Sequence, residues 1–165
     1  PTGVAYATGH LEEGNNHYRN GNYHSAMVAY RKAVAAGEGH TLAMMADGTL
    51  WAWGTNGVGQ LGDGTTSGKS TPVQIGTETN WAFVNGGSRH TLAVKSDGTL
   101  WAWGANFYGA LGDGTTTHRY SPVQIGTAAN WAAVSCGSYH TLAINSDNTL
   151  WACATLAWVI LTRRR

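Results

Sequence analysis

The string His40-Thr41-Leu42-Ala43 returns as His90-Thr91-Leu92-Ala93 and again as His140-Thr141-Leu142-Ala143, at offsets of 90 − 40 = 50 and 140 − 90 = 50 residues. No other feature restricts the fold as much. A chain that copies itself at a fixed period is a stack of like supersecondary units, because one unit cannot bury its apolar surface alone.

Within each unit the residues read as β-structure. Leu42 and Met44 alternate with Ala43 and Met45, Asp47-Gly48 interrupts, and Leu50-Trp51-Ala52-Trp53 follows. Asp47-Gly48 and its copy Asp97-Gly98 fit a two-residue type I′ hairpin, in which positive φ angles match the twist of the strands. Trp51 and Trp53 share one strand face and Leu50 and Ala52 the other; Trp101 and Trp103 repeat the arrangement, and Trp151 begins a third. Two apolar faces on one strand imply a sheet packed on either side. A glycine-punctuated loop leads to Pro72-Val73-Gln74-Ile75, and Trp81-Ala82-Phe83-Val84 then closes the unit. One hairpin and two further strands at a period of about 50 residues make a four-stranded propeller blade.

The segment from His90 through Ser96-Asp97-Gly98-Thr99-Leu100-Trp101-Ala102-Trp103-Gly104 to Leu111-Gly112-Asp113-Gly114-Thr115, with Pro122-Val123-Gln124-Ile125-Gly126 and Trp131, resembles the regulator of chromosome condensation repeat in its bacterial version. The resemblance runs from residue 35 to about 153. It implies seven-bladed propellers that serve as interaction platforms. Founding eukaryotic members exchange guanine nucleotide on a small GTPase, and one secreted bacterial member inhibits β-lactamase. Those partner contacts lie in variable loops, so none carries over to residues here. The third copy departs from the pattern: Asn148 replaces the turn glycine, and Cys153 stands where Trp53 and Trp103 stand in the others. Residues 154–165 then read as a divergent tail, the truncated or out-of-frame end of a longer array; Leu156 to Leu161 is long enough only for a buried strand or a sticky end.

Residues 11–34 have a different rhythm. Tyr23, Ala26, Met27, Tyr30, Ala33 and Val34 recur at three- and four-residue spacing, the apolar stripe of a helix. With Gly14, Asn15, Tyr18 and the Gly21-Asn22 turn they resemble one tetratricopeptide repeat, from which Glu13 departs. The resemblance implies an α-hairpin and makes Asn15 a possible peptide-binding residue, against the plainer reading of a polar side chain on an exposed helix. The expected fold is therefore mainly β: a partial propeller of two full blades and a truncated third over 37–153, with an N-terminal tetratricopeptide-type α-hairpin over 1–36.

Composition agrees and removes several functions. Gly contributes 23 residues and Trp 8, with charged residues at 12%, which suits short strands and tight turns. A net charge of +1 gives no basic face for nucleic acid, and the basic run Arg163-Arg164-Arg165 reads as a solvated end. No apolar stretch reaches the roughly 18 residues of a membrane span. The chain starts at Pro1 without a signal peptide, so it is a processed chain or a fragment.

His40, His90 and His140 invite a metal or catalytic reading, but equivalent positions on successive blades trace an arc, and a blade-locking hydrogen bond from each imidazole is expected instead. Asp63 and Asp113 are equally repeated and read as turn-holding carboxylates. No phosphate loop, nucleophile elbow or nucleophile–base pair is visible. Cys136 and Cys153 read as small buried side chains, with a bridge in an oxidising setting as the alternative. The sequence thus predicts a non-enzymatic protein–protein interaction scaffold without cofactor, nucleic-acid partner or metal, at a bacterial surface or secreted. Its partners are other proteins or copies of itself. The alternatives are a self-assembling ring or filament subunit and a piece of a larger propeller that regulates or inhibits a partner.

Overall fold

Apolar residues on both faces of strands such as 40–44 and 50–54 favour packing on either side, and the fold answers by stacking sheets. A computed structural model describes residues 33–155 and 157–161. They form three four-stranded antiparallel sheets, each a meander in chain order. The first contains β1 (Ala33–Ala36), β2 (His40–Met44), β3 (Leu50–Gly54) and β4 (Lys69–Gln74). The second contains β5 (Trp81–Gly86), β6 (His90–Lys95), β7 (Leu100–Gly104) and β8 (Arg119–Gln124). The third contains β9 (Trp131–Cys136), β10 (Thr141–Asn145), β11 (Leu150–Thr155) and β12 (Ala157–Leu161).

The second sheet is the middle layer. Leu42, Met44, Leu50 and Ala52 of the first sheet pack with Trp81, Ala93 and Trp103 of the second in one buried cluster. On its other side Leu92, Val94, Leu100 and Ala102 meet Trp131, Val134 and Trp158 of the third. Each interface therefore joins a leucine-bearing face to a tryptophan-bearing face. Burying each such Leu, Met or Val side chain contributes on the order of 1.5–3 kcal/mol before the entropy of ordering it is subtracted.

Four expectations are corrected. Among the described residues there is no helix. Ala33 and Val34, expected to end one, lie in β1, which pairs with β2 from Ala33↔Met44 to Ala36↔Thr41. Val34 stands fifty residues before Val84, so it carries the repeat's strand; it packs with Ala43, Met45 and Trp53. The rest of the expected α-hairpin, including Asn15, lies outside the described residues. Second, Trp81–Gly86 opens the second sheet rather than closing the first, because it pairs with β6.

Third, the Asp-Gly turns are not type I′. Gly48 has φ 81°, while Asp47 is not in the positive-φ region. The Gly48 amide donates to the Met45 carbonyl at 3.0 Å, and the Met45 amide to the Thr49 carbonyl at 2.9 Å. This is a type I turn followed by a left-handed glycine, the usual three-residue hairpin. Asp47 Oδ1 accepts from the Thr49 amide at 3.0 Å and hydroxyl at 2.7 Å, and Trp51 Nε1 donates to that Thr49 hydroxyl at 3.0 Å. Asp97, Thr99 and Trp101 repeat the chain of bonds. In the third copy Asn148 adopts the left-handed conformation at φ 65°.

Fourth, the third sheet is not truncated. The divergent tail supplies its fourth strand, with Cys153↔Trp158 and Trp151↔Ile160 in register. A run of Trp, Val, Ile and Leu is apt for an edge strand, and the β11 backbone needs a partner. Directly opposed residues point to the same face, so β12 places an indole beside the cysteine that replaced one. The Trp158 and Trp131 rings lie 5.5 Å apart, beside a Trp131–Trp151 pair at 5.9 Å. In the second sheet Trp81 lies 6.0 Å from both Trp101 and Trp103. Gly62 and Gly112 mark the match: a Cβ on Gly62 would lie 2.6 Å from Trp103 Nε1, and one on Gly112 would lie 2.2 Å from Trp158 Nε1. Trp158 thus fills the place that Trp103 fills one interface earlier.

Candidate interaction face

The turns β1–β2, β5–β6 and β9–β10 and the glycine-rich loops after β3 and β7 emerge on one side, because His40 pairs with Gly54 and His90 with Gly104. One asparagine holds each long loop from inside. Asn56 Nδ2 donates to Asp63 Oδ1 at 3.0 Å and to the Thr65 carbonyl at 2.9 Å, while its Oδ1 accepts from the Leu61 amide at 3.0 Å. Asn106 does the same with Asp113, Thr115 and Leu111. Burial alone would raise the Asp63 carboxyl, yet hydrogen bonds from Thr65, Lys69 and Asn56 hold it below the usual carboxylate range. Asp113 is held down likewise by Thr115, Arg119 and Asn106, against the same effect of burial. Both carboxylates hold their loops, and each pairs with the cation opening the next strand: Lys69 at 3.2 Å and Arg119 at 2.6 Å. The sequence reading missed Asn56 and Asn106; their recurrence at one spacing, just ahead of each Leu-Gly-Asp-Gly, was the available signal.

The repeated histidines sit at the sheet junctions. His40 Nε2 lies 3.0 Å from the Thr91 hydroxyl, which donates to the Gln60 carbonyl at 2.8 Å. With its proton so used, Thr91 can only accept from His40, which assigns the Nε2–H tautomer. His90 approaches Thr141 at 3.5 Å, and Thr141 donates to the Ala110 carbonyl at 2.8 Å. Burial lowers both imidazoles to about 4, so both are neutral at pH 7. His140 is exposed. The three do not converge, and no group of three potential metal ligands occurs among the described residues. Trp103 Nε1 donates to Gln60 at 3.0 Å, and Trp53 is buried in the outer cluster of the first sheet. Among the described residues, Cys136 and Cys153 form no disulfide. Cys153 donates to the Gly109 carbonyl at 3.1 Å, and burial pushes the Cys136 thiol up to about 12.

Two clefts between neighbouring sheets open on the loop face, beside a third of about 520 Å³ bordered by the turns of all three sheets. The first, of about 480 Å³ between the first and second sheets, is lined by Glu38, Thr55, Gly57, Val58, Ser88 and Arg89. Ser88 donates to Glu38 across it. The second, of about 270 Å³ between the second and third sheets, is lined by Arg89, His90, Phe107, Tyr108, Ser138 and Tyr139. Phe107, Tyr108 and Tyr139 are 53%, 59% and 57% exposed. Fifty residues earlier the corresponding positions hold Gly57, Val58 and Arg89. The aromatic cluster is therefore not part of the repeat.

The profile of the regulator of chromosome condensation (RCC1) repeat matches residues 47–94 and 97–144, and a second profile of that repeat matches 32–60 and 81–110. The chain belongs to the RCC1 repeat family. Solved structures agree on the fold. Human WBSCR16 is similar at 22% identity and a TM-score of 0.72 over 79% of this chain. Yeast RCC1 (Prp20), in a structure of Kap60 bound to it, is similar at 19% and 0.72 over 81%. The Prp20p structure from Saccharomyces cerevisiae, described with its binding properties to Gsp1p and histones, is similar at 20% and 0.70 over 81%. This RCC1-repeat chain covers 37–38% of the length of the matched chain in each of those three structures. No helix among its described residues is long and apolar enough to cross a membrane.

Proposed function

We propose that the chain is a non-enzymatic protein–protein interaction module that meets its partners through the loop face of its RCC1-repeat sheets. One observation carries the reading. The repeated His40, His90, Asn56 and Asn106 are buried and engaged inside the fold, whereas the non-repeated Phe107, Tyr108 and Tyr139 stand exposed together beside a cleft. Stacking does not need them there, and clustered exposed aromatics are characteristic of binding surfaces. The binding described for yeast Prp20 gives a precedent for protein partners on this fold. The test places a photo-crosslinking amino acid at position 108 and, on the opposite side, at position 47, then reconstitutes each adduct from purified proteins. Adducts specific to position 108 are expected; adducts only from position 47, or from neither, overturn the reading.

A second reading, self-association, has its own observation. In the first two sheets Leu42, Met44, Leu92 and Val94 are at most 1% exposed, but on the third sheet Ile144, Val159 and Leu161 are 38%, 57% and 47% exposed. That face is apolar and exposed, and a second copy of this chain is the occupant that would cover it under this reading. Native mass by light scattering decides: concentration-dependent oligomers that Ile144→Lys abolishes support self-association, and a monomer at high concentration removes it.

A further inference from the structure

Among the described residues there are four lysines and arginines, and three of them have carboxylate partners: Lys69 with Asp63, Lys95 with Glu78 and Arg119 with Asp113. Arg89 has no such partner, is exposed, and lines the rims of both inter-sheet clefts. Its backbone is fixed, since its carbonyl accepts from the Ala105 amide at 2.8 Å. The guanidinium thus stands on a rigid turn at the mouth of the second cleft.

Three exposed aromatic side chains also line that cleft, and each ring meets a neighbouring ring. Tyr108 and Tyr139 meet edge to face, with ring centroids 5.4 Å apart. Phe107 stacks edge to face on His118 at 4.3 Å, and His118 is itself held by the Asn106 amide at 3.0 Å. An uncompensated cation beside a rigid aromatic wall fits a ligand with a negative charge and an apolar group a few ångström apart. The 270 Å³ volume matches one large side chain rather than a folded element.

We infer that the cleft between the second and third sheets binds an acidic peptide segment, with an Asp or Glu carboxylate on Arg89 and a neighbouring aliphatic or aromatic side chain against Phe107, Tyr108 and Tyr139. This rests on the interaction-module reading and gives it a site and a partner chemistry. Guanidinium–carboxylate pairing supplies direction and specificity, and the preordered rings lower the entropy cost of contact. The first cleft shares Arg89 but lacks the aromatic wall, because Gly57 and Val58 replace the rings, and Glu38 adds a competing negative charge there.

The test uses the full chain and fluorescent octapeptides in which one Leu, Phe or Tyr lies next to Asp or Glu. Matched sets carry Asn or Gln, and Lys, at the acidic positions. Polarisation titrations should favour the acidic set at least tenfold, with affinity falling as salt rises. Arg89→Gln should abolish that preference, Arg89→Lys should retain part of it, and Phe107→Ala with Tyr139→Ala should weaken binding about tenfold at an unchanged melting temperature. No preference for the acidic set, an Arg89→Gln variant that binds as before, or preferential binding of neutral oligosaccharides would overturn the inference. If the photo-crosslinked partner of position 108 still binds Arg89→Gln undiminished, the interaction module stands and this site falls. If position 108 yields no partner, the broader reading falls first.

Discussion

The two sheet interfaces of this chain solve one packing problem in different ways. At the first, Trp103 lies fully buried under Gly62 with its indole N–H on Gln60, and Trp81 is 1% exposed. At the second, Cys153 stands at the tryptophan position, and Trp158 reaches the same spot from the neighbouring strand. The volume is recovered, but the polar anchor is not: Trp158 Nε1 is buried without a hydrogen-bond partner, and Trp131 is only half-buried. The bridging histidine contact also lengthens, from 3.0 Å at His40 to 3.5 Å at His90. Apolar filling can be borrowed from an adjacent strand; directional bonds depend on the original residue.

The sharpest test of the contrast compares two truncations. Trp103→Ala removes a fully buried indole and its hydrogen bond and should cost about 3–5 kcal/mol in urea unfolding. Trp158→Ala, which removes a half-buried ring without a bond, should cost roughly half as much. Equal costs would show the two interfaces to be equivalent and break the comparison.

Acid comes next. His40 and His90 titrate near 4 in the fold and near 6.5 in the unfolded chain, so the unfolded chain takes up protons first as pH falls. Stability should be flat above about pH 6.5 and drop between 6.5 and 4, by up to about 3 kcal/mol per histidine. Melting curves of His40→Gln and His90→Gln across this range should each show a smaller pH-dependent loss. An unchanged profile in both would remove the histidines as the cause.

A smaller effect separates the turns. Asn148 carries the left-handed conformation that Gly48 and Gly98 adopt at φ 81° and 80°. Asn148→Gly should stabilise by about 0.5–1 kcal/mol, whereas Gly98→Asn should cost more than that, because its Cβ would press on the Ala129 carbonyl. The smallest effect lies in the loops: Lys69→Met should change stability by under about 1 kcal/mol, with Arg119→Met costing more because its guanidinium also donates through Nε at 2.7 Å. A double-mutant cycle with the paired aspartates would check both.

Much of this was legible from residue order. The fifty-residue offset gave the sheets, and alternation of Leu42 and Met44 with Trp51 and Trp53 gave both packed faces. The phase was misjudged at Trp81, because alternation identifies a strand without naming its partner. It also failed at Val34, where alanine-rich spacing suits a helix and only β-pairing to Ala43 decides otherwise. The aromatic cleft could not be read, since Arg89 and Tyr139 come from turns fifty residues apart and meet Phe107 and Tyr108 only through stacking. The role of Trp158 depended on a register that no local pattern encodes.

That substitution bears on how such proteins change over time. A tryptophan lost from the motif need not leave a hole if a nearby strand brings one to the same spot, so the motif can erode while the stack persists. Tallies of recognisable copies will then fall short of the layers physically present.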